Sequence, residues 1–501
     1  MEGYIEIEKY HRVVSELEQV KFQLEQLKRL VYGAKSERFI ASSPDQLSLF
    51  EQAPAEEVAK IEVPAHQRQS RRKEKPVRLA LPAHLEREIR VIEPQVDTTD
   101  MVKIGEERTE VLAYTPSNLK VKVTIRPKFA PKDKTVRGIV IAPLPARFID
   151  KCIADESLLT AILVDKFFDH LPLYRIISRF KRLGIEIPRS TMGGWVAQSV
   201  NGLVVLYNKL TELVLKSNYL MVDETRMQVQ TNNGPPQRYR KKSKKGKTHR
   251  GYLWGYLGVK EKLLFFEYDP SRSATNPAKR LKGYSGTIQS DCYEVYDQIR
   301  KAYGGLTHYH CLNHARRKFE KALSNDERRA THALEQFQVL YALERKARQN
   351  GWSVDKIKQL RQEKAKPVLE KLFQWMEEES PKTLPQSPIG KAMGYMLKRK
   401  SRMLHYLTDG NLQIDTNPIE NQIRPIAVGR KNYLFAGSHE AAQRAAIVYS
   451  LFACCKMNNV DPAGWLLDVM RRLPNYPINR VEDLLPYKWQ AAQNKEVTRK
   501  T

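Results

Sequence analysis

Near the start of the chain, apolar residues recur at alternating spacings of three and four. Glu, Gln, Lys and Arg fill the positions between them, as in a heptad repeat whose a and d positions are apolar. The pattern predicts a coiled coil over residues 1–40. A helix with so narrow an apolar stripe needs a partner, and the positions expected to mediate oligomerisation are Val13, Leu17, Val20, Leu24 and Leu27. The alternative is a single helix docked on its own domain.

Two regions with different compositions follow the heptads. Residues 41–77 contain few large apolar side chains and a basic run from Arg68 to Lys75, which is typical of a linker. Residues 78–140 contain short alternating segments that are rich in β-branched residues and separated by Pro and Gly. These segments predict a small β-rich domain.

Apolar residues at helical spacing predict three helices within residues 141–216. A turn at Gly184 separates the second helix from the third, and Ser190 or Thr191 is expected to cap the third. A helix, a Gly-containing turn and a capped helix are the parts of a helix–turn–helix, so this region is a candidate for DNA contact. An ordinary α-hairpin has the same pattern and is the alternative.

An unbroken apolar run from Tyr219 to Val222 leads directly into Asp223 and Glu224. A run without polar alternation predicts a central strand buried on both faces. Asp223 then lies where the strand leaves the hydrophobic interior, and a carboxylate there needs a positive partner. Two more strands are expected next, and a fourth at residues 286–290 lies beside the first and ends at Asp291. Two acidic residues are thus expected at neighbouring strand ends.

The connection between the first two of these strands is strongly basic, with eight Lys and Arg residues between Arg238 and Arg250. The whole chain of 501 residues carries a net charge of +28, with 85 Lys and Arg against 57 Asp and Glu. This balance favours nucleic acid as a partner ahead of an acidic membrane surface. The residues of this loop expected to contact DNA phosphates are Arg240, Lys241, Lys242, Lys244 and Lys245.

Other compositional features exclude some locations. No apolar run reaches the length of a membrane span, and the first residues are too polar for a signal peptide. Five cysteines form no disulfide framework, which suits a reducing compartment. We therefore expect a cytoplasmic protein without a membrane partner.

The second half of the chain is largely helical. Residues 321–410 are charged and have helical apolar stripes, which predicts an all-helical insertion. The segment from Asp415 to Glu420 reads as a helix start, with Thr416 or Asn417 as the cap and Pro418 at the first position. A long apolar helix from Ala441 to Met457 closes this part, and residues 471–501 form a tail.

Residues 308–314 place three His and one Cys within seven positions. They lack the paired spacing of a zinc site, so we expect Cys311 to lie in the core and Arg316, Arg317 and Lys318 to lie at the surface.

Carboxylates held together repel one another unless a cation joins them. Two Mg²⁺ ions about 3.5–4 Å apart, held by such acids, stabilise both the attacking and the leaving oxygen of a phosphoryl displacement. Spacing alone does not identify which C-terminal acid completes a site with Asp223 and Asp291.

Four segments, in order, resemble the transposases of the insertion-sequence 66 family: VDET, GTIQSDCYEVYD, HCLNHARRKFEKAL and DGNLQIDTNPIENQIRPIAVGRKNYLFAGS. The likeness extends from GAKSERF near the N-terminus to DLLPYKW near the C-terminus. It implies a multidomain protein of mixed α+β and α/β class. Its ribonuclease-H-like catalytic domain would comprise residues 217–320 and 411–470, interrupted by the helical insertion.

The resemblance also implies the site. Asp223, Asp291 and Glu420 would be the catalytic acids that hold two Mg²⁺ ions, with Mn²⁺ as a substitute. Further residues expected to contact DNA near these acids are Arg317, Lys318, Arg424, Arg430 and Lys431.

The sequence departs from the family in three places. The β-rich domain of the family usually binds zinc through two Cys pairs, but the matching segments EPQVDTTDMVKIGEE and RPKFAPKDKTVRG contain no Cys. We therefore expect a degenerate zinc-finger-like domain without zinc. The acidic-Asn-Asn tract of the family becomes Asp415-Thr416-Asn417, and its Glu-Arg becomes Glu420-Asn421.

The implied function is a bacterial DNA transposase that cleaves the ends of its element and joins them to target DNA. Its expected partners are both DNAs within the nucleoid, further copies of the chain, and accessory proteins encoded by the element. Two alternatives remain: a catalytically silent DNA-binding repressor, and a structure-specific nuclease of the same fold.

Overall fold

The structure, a computed structural model, describes residues 81–115, 118–132, 139–230, 248–303 and 305–489. The predicted coiled coil, the linker and most of the basic loop lie outside these residues. Within them the chain forms two β-sheets and many helices, so it is a mixed α/β protein. None of the helices in these ranges is long and apolar enough to cross a bilayer.

The first sheet has four strands: β1 (Glu86–Val91), β2 (Met101–Thr115), β3 (Asn118–Pro131) and β4 (Val140–Ile141). β3 is central and pairs in parallel with β1 and antiparallel with β2 and β4. Alternate residues of β3 are buried, from Leu119 to Ile125, because one face of the sheet packs against the body of the protein. β2 pairs with β3 over its whole length, apart from a register shift between Lys103 and Gly105.

Four helices lead from the first sheet to the second: α1 (Glu156–Phe167), α2 (Leu173–Arg182), α3 (Arg189–Gly202) and α4 (Val204–Leu215). The prediction that Ser190 or Thr191 caps the third helix is wrong. α3 begins at Arg189 with Pro188 in the cap position, and no side chain caps it. A Pro before the first turn has the extended backbone that a cap position needs, so the helix starts earlier than its hydroxyl residues suggest.

The second sheet has five strands: β5 (Tyr219–Gln230), β6 (Thr248–Gly258), β7 (Leu263–Asp269), β8 (Thr287–Ser290) and β9 (Thr307–His310). Their order in the sheet is β7-β6-β5-β8-β9. β5, β6 and β7 are antiparallel, whereas β8 and β9 run parallel to β5. The predicted strands, and the placement of the fourth beside the first, are confirmed.

Short helices connect the later strands: α5 (Thr275–Arg280), α6 (Glu294–Tyr303) and α7 (Leu312–Ala322). The last two flank β9, so the chain enters and leaves this edge strand through a helix.

A long helical segment follows, consisting of α8 (Glu327–Gln349), α9 (Val354–Leu360), α10 (Lys366–Glu379), α11 (Pro388–Leu397) and α12 (Lys400–Leu404). The buried guanidinium of Arg361 ties it to the chain that leads back to the sheet. Arg361 donates to Glu344 at 2.8 Å and to the carbonyls of Tyr406 at 3.1 Å, Asp409 at 2.7 Å and Leu412 at 2.8 Å. The acidic partner and the carbonyls together satisfy a charge that would otherwise be costly to bury.

Three α-helices follow the helical segment: α13 (Asn417–Tyr433), α14 (His439–Met457) and α15 (Pro462–Arg472). α14 covers the edge strand β7, where Ser450 Oγ accepts from Phe266 N at 2.7 Å and Cys454 Sγ from Leu264 N at 3.3 Å. These side chains satisfy backbone groups that an open sheet edge would leave unpaired. Residues beyond α15 also pack onto the core, since Leu484 is fully buried.

Candidate active site

Asp223 and Asp291 lie at matching positions on neighbouring parallel strands. β5 pairs with β8 up to Met221 and Gln289, and each acid comes two residues later. Parallel neighbours lie about 4.8 Å apart, so the register directs both carboxylates to the same edge of the sheet. β5 itself continues to Gln230, and Asp223 is where its burial changes from both faces to alternate residues.

Glu420 reaches this edge from the first turn of α13. Asp415 Oδ1 accepts from Asn417 N at 3.0 Å, a turn that starts the helix, and Pro418 occupies the first helical turn. The predicted helix start is therefore confirmed, with Thr416 as the cap residue, although its side chain makes no capping bond. α13 packs on β5 and β6, where a Cβ on Gly255 would lie 3.3 Å from Ile419. Gly255 pairs with Asp223, so this contact brings the start of α13 beside Asp223.

Two cationic or titratable side chains of α7 face Glu420. Arg317 Nη2 donates to Glu420 Oε2 at 2.7 Å, and His314 Nε2 lies 4.0 Å from Glu420 Oε1. The two residues are three positions apart and share a helix face. Burial lowers the pKa of His314 despite the opposing charges of Asp291 and Glu420.

Glu224 is a fourth acid in the cluster, and it is nearly buried. It forms an ion pair with Arg272, whose Nε lies 2.7 Å from Glu224 Oε1. Its second oxygen, Oε2, is buried and has no hydrogen-bond partner. Burial and then the charge of Asp291 raise the pKa of Glu224.

The acids of this cluster repel one another when they are ionised, because all of them are negatively charged. Burial raises the pKa of Asp223 well above its ordinary value, and the charges of Glu224, Asp291 and Glu420 add to the shift. The hydrogen bond from Glu224 N to Asp223 Oδ1, 2.8 Å long, opposes it only partly. A carboxylate in this position is stabilised by a cation, which the surrounding oxygens are suited to bind.

A second cluster lies on the other side of β8. The ligand atoms of Asp297, His308 and His310 lie within 4.8 Å of one another, the one such group in the described ranges. His308 Nδ1 is 2.9 Å from Asp297 Oδ1 and its Nε2 is 2.8 Å from Ser290 Oγ, and Asp297 also pairs with Arg402. Burial lowers the pKa of His308 to about 4, so its ring is neutral and bridges Ser290 to Asp297.

The spacing within residues 308–314 is unlike that of a zinc site, and in the structure their three histidines lie in two different places. His308 and His310 belong to the second cluster, whereas His314 faces Glu420. Cys311 is fully buried, as predicted, and its Sγ lies 3.3 Å from Thr416 N.

The residues expected to contact DNA have varied surroundings. Arg317 pairs with Glu420, and Lys318 Nζ lies 4.4 Å from the centroid of the Tyr395 ring. Arg430 donates to Thr225 Oγ1 at 2.9 Å, while Arg424 and Lys431 are exposed. The predicted residues of the basic loop, Arg240, Lys241, Lys242, Lys244 and Lys245, lie outside the described residues.

Sequence reasoning missed His314, Glu224 and Arg272 as parts of the site. Glu224 follows Asp223 directly, and adjacent strand residues ordinarily point to opposite faces, so the pattern favoured Asp223 alone. His314 had a signal in its spacing, because it precedes Arg317 by three positions on α7. Arg272 had none, since it lies in a connection without periodic structure.

Three family models match the chain. Residues 151–444 match the model described as Transposase IS66 family, residues 19–90 match Transposase C of IS166 homeodomain, and residues 450–487 match the IS66 C-terminal element. The first match spans more than half of the chain and shows that the protein is of the transposase class. The chain belongs to the IS66 family of these proteins, which confirms the resemblance seen in the sequence.

Curated relatives are similar over nearly their whole length. The chain is 31% identical to the uncharacterized protein y4hP of Sinorhizobium fredii, over 94% of this chain and 89% of the relative. It is 32% identical to y4qI of the same organism, over 93% of this chain and 88% of the relative. A third uncharacterized protein, y4jD, is 31% identical over 97% of each chain.

Proposed function

We propose that this protein cleaves a phosphodiester bond at each end of an insertion sequence and then joins the element to target DNA. The observation that carries the proposal is the convergence of three acids on one edge of the sheet: Asp223 from β5, Asp291 after β8 and Glu420 from α13. Membership of a transposase family supports the substrate class.

The mixed sheet supports a ribonuclease-H-like catalytic domain. Antiparallel strands lie on one side of β5 and parallel strands on the other, and the parallel pairing of β5 with β8 ends at Met221 and Gln289, just before the two acids. α13 packs on β5 and β6. Ligand and metal sites are commonly formed where carboxyl ends of parallel strands meet.

The residues suit divalent metal ions. Asp223, Asp291 and Glu420 offer hard oxygen ligands, and the unpartnered Oε2 of Glu224 is a further oxygen without a donor. Two bound Mg²⁺ ions would supply charge stabilisation for the attacking and leaving oxygens. Burial and the neighbouring acids raise the pKa of Asp223, and a metal ligand has to be deprotonated, so binding of a cation there would be coupled to pH.

The reaction has two displacements at phosphorus. In the first, water bonds to the phosphorus, the P–O3′ bond breaks, and the element keeps a 3′-hydroxyl while its flank keeps a 5′-phosphate. In the second, this 3′-oxygen bonds to a target phosphorus and the target P–O3′ bond breaks. Arg317 and His314, which flank Glu420, are placed to contact the negatively charged backbone as it passes.

The test is cleavage and joining with the ends of the element itself and Mg²⁺. We expect Asp223→Asn, Asp291→Asn and Glu420→Gln each to abolish cleavage and to retain end binding, since each change removes a charge with little change in volume. Glu335→Gln, on an exposed face of α8, is the matched control and should cleave normally.

The outcome also separates the alternatives. Binding without cleavage in the unmodified protein identifies a repressor, and cleavage without joining identifies a nuclease. Mg²⁺-dependent cleavage that persists in one of the three variants removes that residue from the site.

A further inference from the structure

A second concave surface lies at the far end of α13 from Glu420. A cavity of about 540 Å³ opens between α1, the start of α2, α3, the start of α14 and the residues around the end of α13. We call it the α13-end pocket, and the residues that define it here are Lys166, Arg189, Arg444, Tyr174, Tyr433 and Phe435. Its volume is in the range of pockets that enclose small ligands, about 300–1,000 Å³.

Two of the three cations of this pocket, Lys166 and Arg189, lack anions to balance them in the part of the chain that the structure describes. Within the described ranges, the side chains of Lys166 and Arg189 make no hydrogen bond or ion pair, and none of the residues lining the pocket is acidic. Arg444 has a carboxylate neighbour in Glu440, one turn earlier on α14 and outside the lining. Burial, and then the charge of Arg189, lower the pKa of Lys166 to about 8. A bound anion would relieve this repulsion.

Two helix N-termini reinforce the positive charge. α3 starts at Arg189 and α14 starts at His439, directly after Gly437 and Ser438 of the pocket wall. The first turns of helices carry partial positive charge and favour phosphate groups.

Aromatic and apolar side chains line the same opening. Tyr174 is 57% exposed, Leu434 67% and Phe435 38%. Lys166 Nζ lies 5.8 Å from the centroid of the Tyr433 ring and 5.1 Å from that of Phe167. Exposed apolar groups gathered around unbalanced cations are typical of sites that take a flat, charged ligand.

A strained turn holds these side chains out. Leu434 has φ of 60°, and Phe435 N donates to the Tyr433 carbonyl at 2.6 Å, which closes a three-residue turn. A positive φ is unfavourable for Leu, and it persists here because Ala436 is bound on both sides by β5, to Gln228 at 2.8 Å and Gln230 at 2.7 Å. Strain of this kind is concentrated at functional positions.

We propose that the α13-end pocket binds one unstacked nucleotide of a DNA strand, with its phosphate among Lys166, Arg189 and Arg444 and its base on Tyr174 or Phe435. Enzymes that bind nucleic acid stack bases on exposed aromatic rings and track the backbone with cations. The inference rests on the proposed function for its choice of DNA as the ligand.

The geometry of α13 sets the position of that nucleotide. Glu420 and Tyr433 are thirteen residues apart on one helix, a distance of about 20 Å at 1.5 Å per residue. A strand that stays stacked as in a duplex advances about 3.4 Å per nucleotide, so such a strand along α13 would place the bound nucleotide roughly six positions from the cleaved bond. Arg424 and Arg430 lie along the same helix between the two sites.

The test is DNA binding by the full-length protein in EDTA, where cleavage does not contribute. The probes are a 20-nucleotide oligothymidylate and a blunt 20-base-pair duplex, followed by fluorescence anisotropy over a range of salt. The variants are Phe435→Ala and Tyr174→Ala for stacking, and Lys166→Gln and Arg189→Glu for charge. The controls are Lys391→Gln, an exposed lysine of α11, and Ile478→Ala, an apolar residue that is 77% exposed.

The expected result differs between the probes. Loss of a stacking ring should weaken single-strand binding by about 5- to 150-fold and duplex binding far less. Lys166→Gln should reduce the log–log salt slope for the single strand by about 0.7, the value of one phosphate contact. Arg189 is exposed at the rim, so Arg189→Glu tests the charge without disturbing the core, and melting temperatures verify the fold of each variant.

Two outcomes overturn the proposal. They are single-strand affinities equal to wild type in all four variants, and equal losses for strand and duplex. Asp223→Asn separates this proposal from the proposed function, because it should abolish cleavage and leave the differences between pocket variants unchanged.

Discussion

Arg317 and Glu420 form an ion pair across the candidate active site, with Nη2 2.7 Å from Oε2. The guanidinium is partly exposed and the carboxylate is largely buried. Arg317 therefore supplies a positive charge to the carboxylate that is proposed to bind a metal ion. Metal binding at Glu420 has to displace this contact or share it.

Removal of Arg317 should consequently strengthen metal binding. We expect Arg317→Gln to lower the Mg²⁺ dissociation constant by roughly tenfold, the scale of one unit charge a few ångströms away in a partly exposed site. Isothermal titration calorimetry of the full-length protein without DNA measures it. Arg316→Gln is the control, because Arg316 pairs with Glu320 at 2.7 Å instead. Equal affinities in both variants would show that the Arg317 pair does not compete with metal.

The acid cluster should also destabilise the protein when metal is absent. The pKa of Asp223 is raised in the folded state and is about 3.9 in an unfolded chain. The folded state thus holds a proton that the unfolded state releases, so stability is greatest below pH 3.9 and falls as pH rises through the folded pKa.

Asp223→Asn should remove that loss. In EDTA its melting temperature should match wild type near pH 4 and exceed it at pH 7. Its free energy of unfolding at pH 7 should be larger by about 1.4 kcal/mol for each unit of pKa shift. Added Mg²⁺ should stabilise the wild-type protein but not the variant, and should therefore reduce the difference between their melting temperatures. Differential scanning calorimetry from pH 4 to 8 is the measurement, and a wild-type protein as stable as the variant at pH 7 would contradict it.

The basic loop gives a prediction that depends on salt. Replacement of Lys241, Lys242, Lys244 and Lys245 by Ala should reduce the log–log slope of duplex binding by up to about 0.9 per lost phosphate contact, whatever the DNA sequence. Replacement of the same number of lysines in the helical segment, Lys358, Lys364, Lys371 and Lys391, is the control. An unchanged slope would make the loop an ordinary solvated surface.

The heptads predict an oligomer. Leu17→Lys combined with Leu24→Lys places like charges in the expected seam and should separate the chains, as should deletion of residues 1–40. Light scattering with and without DNA ends measures the mass. A full-length protein that is monomeric in both conditions would exclude this role.

The β-rich domain gives a separate prediction, that it folds without zinc. Metal analysis that finds stoichiometric zinc in residues 85–135 would contradict it.

Local chemistry made part of the fold predictable. The run from Tyr219 to Val222 predicted a buried strand because no polar residue interrupts it, and Asn417-Pro418 predicted a helix start because Pro favours the first turn. Each of these signals is local, since it depends on only a few consecutive residues. Of the site, Asp223 and Asp291 followed from strand ends, whereas Glu420 required the family resemblance.

The remaining parts depend on contacts between distant residues. The pairing of Arg361 with Glu344 and the approach of Arg272 to Glu224 join segments whose own patterns predict nothing about the partner. The start of α3 was misjudged because Ser190 and Thr191 are good caps, while the extended backbone of Pro188 sets the boundary two or three residues earlier. The strained turn at Leu434 has no local signal at all, since β5 imposes it.

The order of the acids along the chain has a consequence for the protein during its synthesis. Glu420 follows Asp291 by 129 positions, most of them in the helical segment. At about 5–20 residues per second, a ribosome needs roughly 6 to 26 s to make that stretch. A nascent chain can pair β5 with β8 in this interval, but it lacks the third acid. A complete acidic site therefore cannot form until Glu420 has been synthesised, and a product truncated before Glu420 lacks the site.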